Sequence, residues 1–150
     1  IAKRLVEIAP ANAEWRAEVE YAYSNLGTVL LDEGRSVEAG TAFEHALVIA
    51  TDLAVKAPDD RDLHVDLAQA RGWLADSLEE RGRFADATNQ RNAEVDICAA
   101  LLAKEPGNIG ATQSLIVARR ALARLALAEG RVGDAMTQSQ SAIDLADGLV

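Results

Sequence analysis

The chain offers one cysteine, two histidines and a scatter of carboxylates as its chemically competent side chains. Cys98 would need a neighbouring base to act as a nucleophile, and a zinc site would need several Cys, His or carboxylate ligands converging on one point. His45 and His64 stand well apart from Cys98 and from each other, so neither arrangement is written into the spacing. Asp59 and Asp60, like Glu79 and Glu80, are adjacent in sequence, whereas the paired carboxylates of a glycosidase face each other from separate elements. They read as solvated faces or helix ends. Neither Gly-x-Gly-x-x-Gly nor Gly-x-x-x-x-Gly-Lys occurs, and nothing else in the sequence predicts a phosphate cradle. The expectation is a chain that is not an enzyme, with no cofactor and no metal.

Composition narrows the field further. The 150 residues carry 24 acidic against 15 basic side chains, a formal net charge of −9, and 49% hydrophobic residues. That is one domain's worth of chain with enough apolar content for a core. The acidic balance argues against nucleic acid or an anionic membrane as partner, since both need concentrated Lys and Arg. No uninterrupted apolar run reaches the roughly 18 residues that a membrane span requires. The opening Ile1-Ala2-Lys3-Arg4 lacks Met and any signal-peptide pattern, which predicts a piece of something longer. A lone cysteine cannot form an internal disulfide, which fits a reducing, cytoplasmic compartment.

The elements that must position these residues emerge when the sequence is slid against itself. A shift of 48 superimposes Pro10/Pro58/Pro106, Ala22/Ala70/Ala118, Leu26/Leu74/Leu122, Gly34/Gly82/Gly130, Arg35/Arg83/Arg131, Ala39/Ala87/Ala135 and Leu53/Leu101/Leu149. Glu38/Asp86/Asp134 keep their charge in the same register. The predicted units are 10–57, 58–105 and 106–150, with 1–9 as the tail of an earlier one, because Ile1, Ala2 and Leu5 fall one period before Ile49, Ala50 and Leu53. Cys98 corresponds to Ala2, Ala50 and Ala146, and so reads as a small packing residue.

Within each unit, apolar residues recur at three- and four-residue steps, as in Trp15, Val19, Ala22, Leu26 and Val29. The Gly-Arg pair separates two such runs, and glycine there can take the left-handed conformation that closes a helix. Asn12, Asp60 and Asn108 are candidate N-caps after each proline. Helices are predicted at 12–33, 36–57, 60–81, 84–105, 108–129 and 132–149, each roughly 30 Å long at full length, with a partial one before them. No strands are expected. The predicted fold is all-α, a right-handed α-solenoid of antiparallel helix pairs, each covering its apolar face with the next.

Tyr23, Leu26, Gly27 and Leu30, followed by Ala39, Phe43 and Ala46, stand at the offsets of the tetratricopeptide repeat, which this unit resembles. The second unit keeps Leu74, Ala75, Leu78 and Ala87 but has Arg91 and Glu94 where Phe and Ala are expected. The third keeps Leu122, Ala123, Ala135 and Ala142 but has Ser139. The 48-residue period is similar to long-period bacterial and kinesin-light-chain-type arrays. The resemblance implies a binding scaffold without catalytic residues, often appended to an effector.

It also implies which offsets face a concave groove. These are Tyr21, Ser24, Asn25 and Thr28, then Gln69, Gly72, Trp73 and Asp76, then Val117, Arg120, Ala121 and Arg124. The groove would run from polar, through aromatic and acidic at Trp73, Asp76, Glu79 and Glu80, to basic at the third unit. Trp15 sits on the core stripe and reads as packing between helices. Trp73 reads either as a binding anchor or as packing. Arg119, Arg120 and Arg124 read either as receptors for a partner's carboxylate or as solvent charges paired with neighbours. The Lys and Asn set that clamps chaperone C-termini is missing, so chaperone-tail binding is not expected. The expected partner is a protein or peptide segment. Self-association through the open solenoid ends and regulation of an attached effector are the alternatives.

Overall fold

The computed structural model describes residues 12–148. The expected tail at 1–9, together with Pro10 and Leu149 of the repeat register, lies outside the described residues. Six helices follow one another: α1 Ala13–Asp32, α2 Ser36–Lys56, α3 Arg61–Glu80, α4 Phe84–Lys104, α5 Ile109–Ala128 and α6 Val132–Asp147. Their ends fall within one or two residues of the sequence expectation, and the described residues contain no strand.

Each first helix of a pair starts as its sequence dictates. Asn12 Oδ1 accepts from the Trp15 N–H at 3.1 Å, Asp60 Oδ1 from Asp62 at 3.0 Å and Leu63 at 3.3 Å, and Asn108 Oδ1 from Ala111 at 2.9 Å. These bonds satisfy amides that have no partner within the helix. Each first helix ends at a glycine in the left-handed region, with φ of 74° at Gly34, 68° at Gly82 and 74° at Gly130. The Gly82 amide donates to the Glu79 carbonyl and the Arg83 amide to that of Leu78, both at 2.9 Å; the other two turns repeat the pattern. That is a Schellman motif, and it turns the chain back within four residues. The arginine after each glycine meets an acid three residues on: Arg35 to Glu38 and Arg83 to Asp86, each at 2.8 Å, and Arg131 to Asp134 at 2.5 Å. Those acids lie in the first turn of the second helix, where its N-terminal dipole favours negative charge.

Helix pairs stack through shared apolar joints. Ala50 and Ala54 of α2 pack with Leu67 and Ala70 of α3, and Val95 and Cys98 of α4 pack with Leu115, Ala118 and Leu122 of α5. A third cluster spans the turn end of all three pairs, from Leu30 and Phe43 through Leu74 and Leu78 to Leu125. The Phe43 ring is fully buried and lies on the α1 backbone at Gly27, where a Cβ would collide with it. Neighbouring pairs set burial. Leu74 and Leu122 are each 5% exposed, yet Leu26, the same position on α1, is 49% exposed. Trp15 follows suit at 38% exposure, so it is not the buried packing residue its register suggests. Its equivalent Ala111 is covered by the preceding pair, whereas α1 is the first described helix.

The turn glycines give a direct test. Gly82→Ala should lower stability by about 1–2 kcal/mol, the usual cost of a left-handed conformation for a residue with a Cβ. Gly107→Ala, at a position with open space and no positive φ, should change it by less than about 0.5 kcal/mol. Urea denaturation compares the two; equal losses would mean that the left-handed turn is not what the glycine supplies.

Candidate functional site

First helices of successive pairs touch one another, α1 with α3 and α3 with α5, while the second helices do not. The first helices therefore line the inner side of the stack. Across α3, α4 and α5 this side opens into a concavity of about 370 Å³, lined by Gln69, Gly72, Trp73 and Asp76 of α3, Arg91 and Glu94 of α4, and Gln113, Ser114 and Val117 of α5. Trp73 is half-buried. Its ring stacks on Phe43, with centroids 6.2 Å apart and planes 22° from parallel. It packs and lines the groove at once.

The expected groove residues do not form one continuous strip. Gln69, Trp73 and Asp76 share the α3–α5 concavity. Arg120 and Arg124 line a second one, of about 530 Å³, with Ile116, Ala123, Leu127 and the α6 residues Ala142, Ile143 and Ala146. Tyr21, Asn25 and Thr28 are exposed on α1 and line neither. Three of the residues at groove offsets are buried, Gly72 among them. Ser24 is 2% exposed and donates to Glu20 at 2.7 Å, and Ala121 is 2% exposed.

Several expected partner-facing charges are used within the chain. Arg124 holds Glu79 with a bidentate pair, Nε to Oε1 at 2.6 Å and Nη2 to Oε2 at 2.7 Å. Arg119 donates to Gln138 at 2.8 Å. Arg120 is exposed, with no ion-pair partner among the described residues. Asp76 is held by Arg91 Nη2 at 2.5 Å. The acidic stretch through Asp76 and Glu79 is thus largely neutralised by arginines from other helices.

The buried ion network is what the sequence reading left undeveloped. Arg91 and Glu94 replace the Phe43 and Ala46 of the first pair, and each is 4% exposed. Arg91 Nη1 donates to Glu94 Oε2 at 2.7 Å. Burial pushes the Glu94 carboxyl up from its ordinary value, and Arg91 opposes that shift. Gly72 makes the room: a Cβ there would stand 2.8 Å from Arg91 Nη1 and 3.2 Å from each Glu94 oxygen. The signal was present as two charges, three residues apart, at positions the neighbouring units keep uncharged. A second buried acid, Glu20, is pushed up by burial against its bond from Ser24.

The residues that could do chemistry stand apart. Cys98 is fully enclosed in the α4/α5 joint, and burial, then the nearby Glu94, pushes its thiol up to about 11. It is held protonated and inert. His45 packs against Tyr23 with ring centroids 4.9 Å apart and planes tilted by 32°, and His64 Nε2 sits 3.0 Å from the Pro58 carbonyl. Among the described residues no group of three or more His, Cys, Asp or Glu could hold a metal ion, and no helix is long and apolar enough to cross a membrane.

Stacked helix pairs with a groove across their first helices define an α-solenoid of helical hairpins. The tetratricopeptide repeat family matches at residues 21–45, 68–89 and 116–139; each match spans one Gly-Arg turn, and the chain is a tetratricopeptide repeat protein. Such repeats generally mediate protein–protein interaction and are typically non-catalytic. Among solved structures, BtubC (BKLC) from P. vanneervenii superposes with a TM-score of 0.69 at 18% identity. The likeness is one of fold, covers 96% of this chain, and spans about half (52%) of that one. No curated protein matches the sequence.

Arg91→Met should cost about 3–5 kcal/mol, because it strands Glu94 as a buried, uncompensated charge. Adding Glu94→Ala should restore most of that loss. If the double variant is as unstable as the single one in urea denaturation, the cost lies in packing volume and not in charge.

Proposed function

We propose that the chain is a non-catalytic interaction scaffold that holds a peptide or protein segment across the inner side of its first helices. The observation that carries this reading is Trp73: a large ring fixed from behind by Phe43, with its remaining surface in a concavity between three helices. A rigid, half-desolvated aromatic of this kind is the usual anchor of an interface. Gln69 and Gln113 offer amides beside it, and Val117 offers apolar contact. Tyr21, Asn25 and Thr28 extend the surface toward α1, and Arg120 and Arg124 toward α6. Binding would gain from preorganisation, because the stack fixes Trp73 and the concavity around it before a partner arrives. A cytoplasmic setting belongs to the same proposal.

Peptides selected from a random displayed library on the wild-type chain test it. Trp73→Ala should weaken the selected peptides by about tenfold or more, the loss expected of a hot-spot aromatic, while helical content and melting behaviour remain close to wild type. Peptides that bind both proteins equally would place recognition elsewhere on the molecule.

A further inference from the structure

The groove floor at the second pair holds a charge arrangement that stacking does not require. The equivalent positions are Phe43 and Ala46 in the first pair and Ser139 and Ala142 in the third. In the second pair a single guanidinium, Arg91, answers two carboxylates, Asp76 and Glu94. One negative charge is left over. Glu94 lines the concavity with its side chain only 5% exposed, and while Oε2 takes Arg91 Nη1, Oε1 accepts no hydrogen bond. That oxygen is not sealed off, so a donor can reach it from the concavity. Gly72 keeps the α3 backbone from covering it with a side chain. Asp76 keeps 38% of its side chain open on the same wall, and Trp73 stands next to it.

We propose that this concavity is a subsite for one cationic side chain, the ammonium or guanidinium of a lysine or arginine in the bound segment. The cation lies against the Trp73 ring and beside the carboxylates of Glu94 and Asp76. This rests on the reading of the groove as a segment-binding surface and adds the chemistry of what it selects. The ring face attracts a cation through its quadrupole, and the incoming N–H supplies the donor that Glu94 Oε1 lacks. Gln69 and Gln113 line the same concavity, and their amides can accept from the remaining N–H groups. An acidic side chain is disfavoured, because the carboxylates of Glu94 and Asp76 on the concavity wall outnumber the single guanidinium of Arg91. The net charge of −9 steers basic segments toward the molecule.

The two tryptophans give the full chain two indole N–H signals, one in the subsite and one on α1. ¹⁵N-labelled protein titrated at low salt with acetyl-Gly-Gly-Lys-Gly-Gly-amide, and with its Arg and Glu counterparts, reads the site directly. The Lys or Arg peptide should shift the Trp73 signal and leave Trp15 in place, and the Glu peptide should shift neither. Glu94→Gln and the more exposed Asp76→Asn should each weaken the response by about tenfold, the worth of a charged hydrogen bond. Asp76→Asn serves as the arm that keeps its fold should Glu94→Gln lose stability. The subsite is overturned if neither basic peptide moves Trp73, if the Glu peptide moves it equally, or if both variants respond as wild type. Library-selected peptides that depend on Trp73 but carry no basic residue would remove the subsite and leave the groove standing; selected peptides indifferent to Trp73 would remove the groove itself.

Discussion

A single helix pair of this chain cannot cover its own apolar side, and the rest of the structure follows from that. The first helix of each pair presents the same alanine and leucine, and these are buried on α3 and α5 because α2 and α4 lie against them. On α1 the same leucine is half exposed. Burying one leucine side chain is worth about 1.5–3 kcal/mol, so each joint contributes several such increments and stability accumulates pair by pair. The Schellman turns at Gly34, Gly82 and Gly130 serve this scheme by returning the chain at a fixed point, which keeps successive joints in register.

Close approach between the two helices of a pair is achieved in two different ways. In the first pair a phenylalanine ring rests on the backbone at Gly27; in the second an arginine and a glutamate rest on the backbone at Gly72. A glycine clears the way in both cases, but its position along the first helix shifts with what must be fitted. The apolar solution fills the joint. The charged solution leaves a concavity with a polar floor, flanked by the aromatic ring that the first solution supports from behind. The candidate site thus lies where one pair's packing meets the next pair's departure from it.

The local grammar of the fold was readable because it depends on residues close in sequence. Asn12, Asp60 and Asn108 cap as expected, the glycines take the left-handed turn, and the 48-residue register places Ala70, Leu74, Ala118 and Leu122 in the joints. Trp73 was legible only as one of two alternatives, a binding anchor or a packing residue; the structure packs it on Phe43 and leaves it lining the concavity. Ser24 and Ala121 were not legible as buried, nor Trp15 as exposed, because a register states which face a residue occupies and not whether a neighbour covers it. The pairs Arg124–Glu79 and Arg91–Asp76 join residues 45 and 15 apart on different helices. No helical periodicity encodes such a contact, although the uncharged equivalents of Arg91 and Glu94 mark the place where it would be found.

If each pair is held by its neighbours, the centre of the stack must be its most protected part and the candidate groove must sit on it. Native-state amide hydrogen exchange, resolved helix by helix, measures this directly. The account predicts the slowest exchange in α3, α4 and α5, where both flanks are covered, and faster exchange in α6, whose Met136 and Ile143 remain exposed. Uniform protection from α1 to α6, or an α6 as slow as α4, would contradict a stack stabilised joint by joint and would deprive the groove of its rigid base.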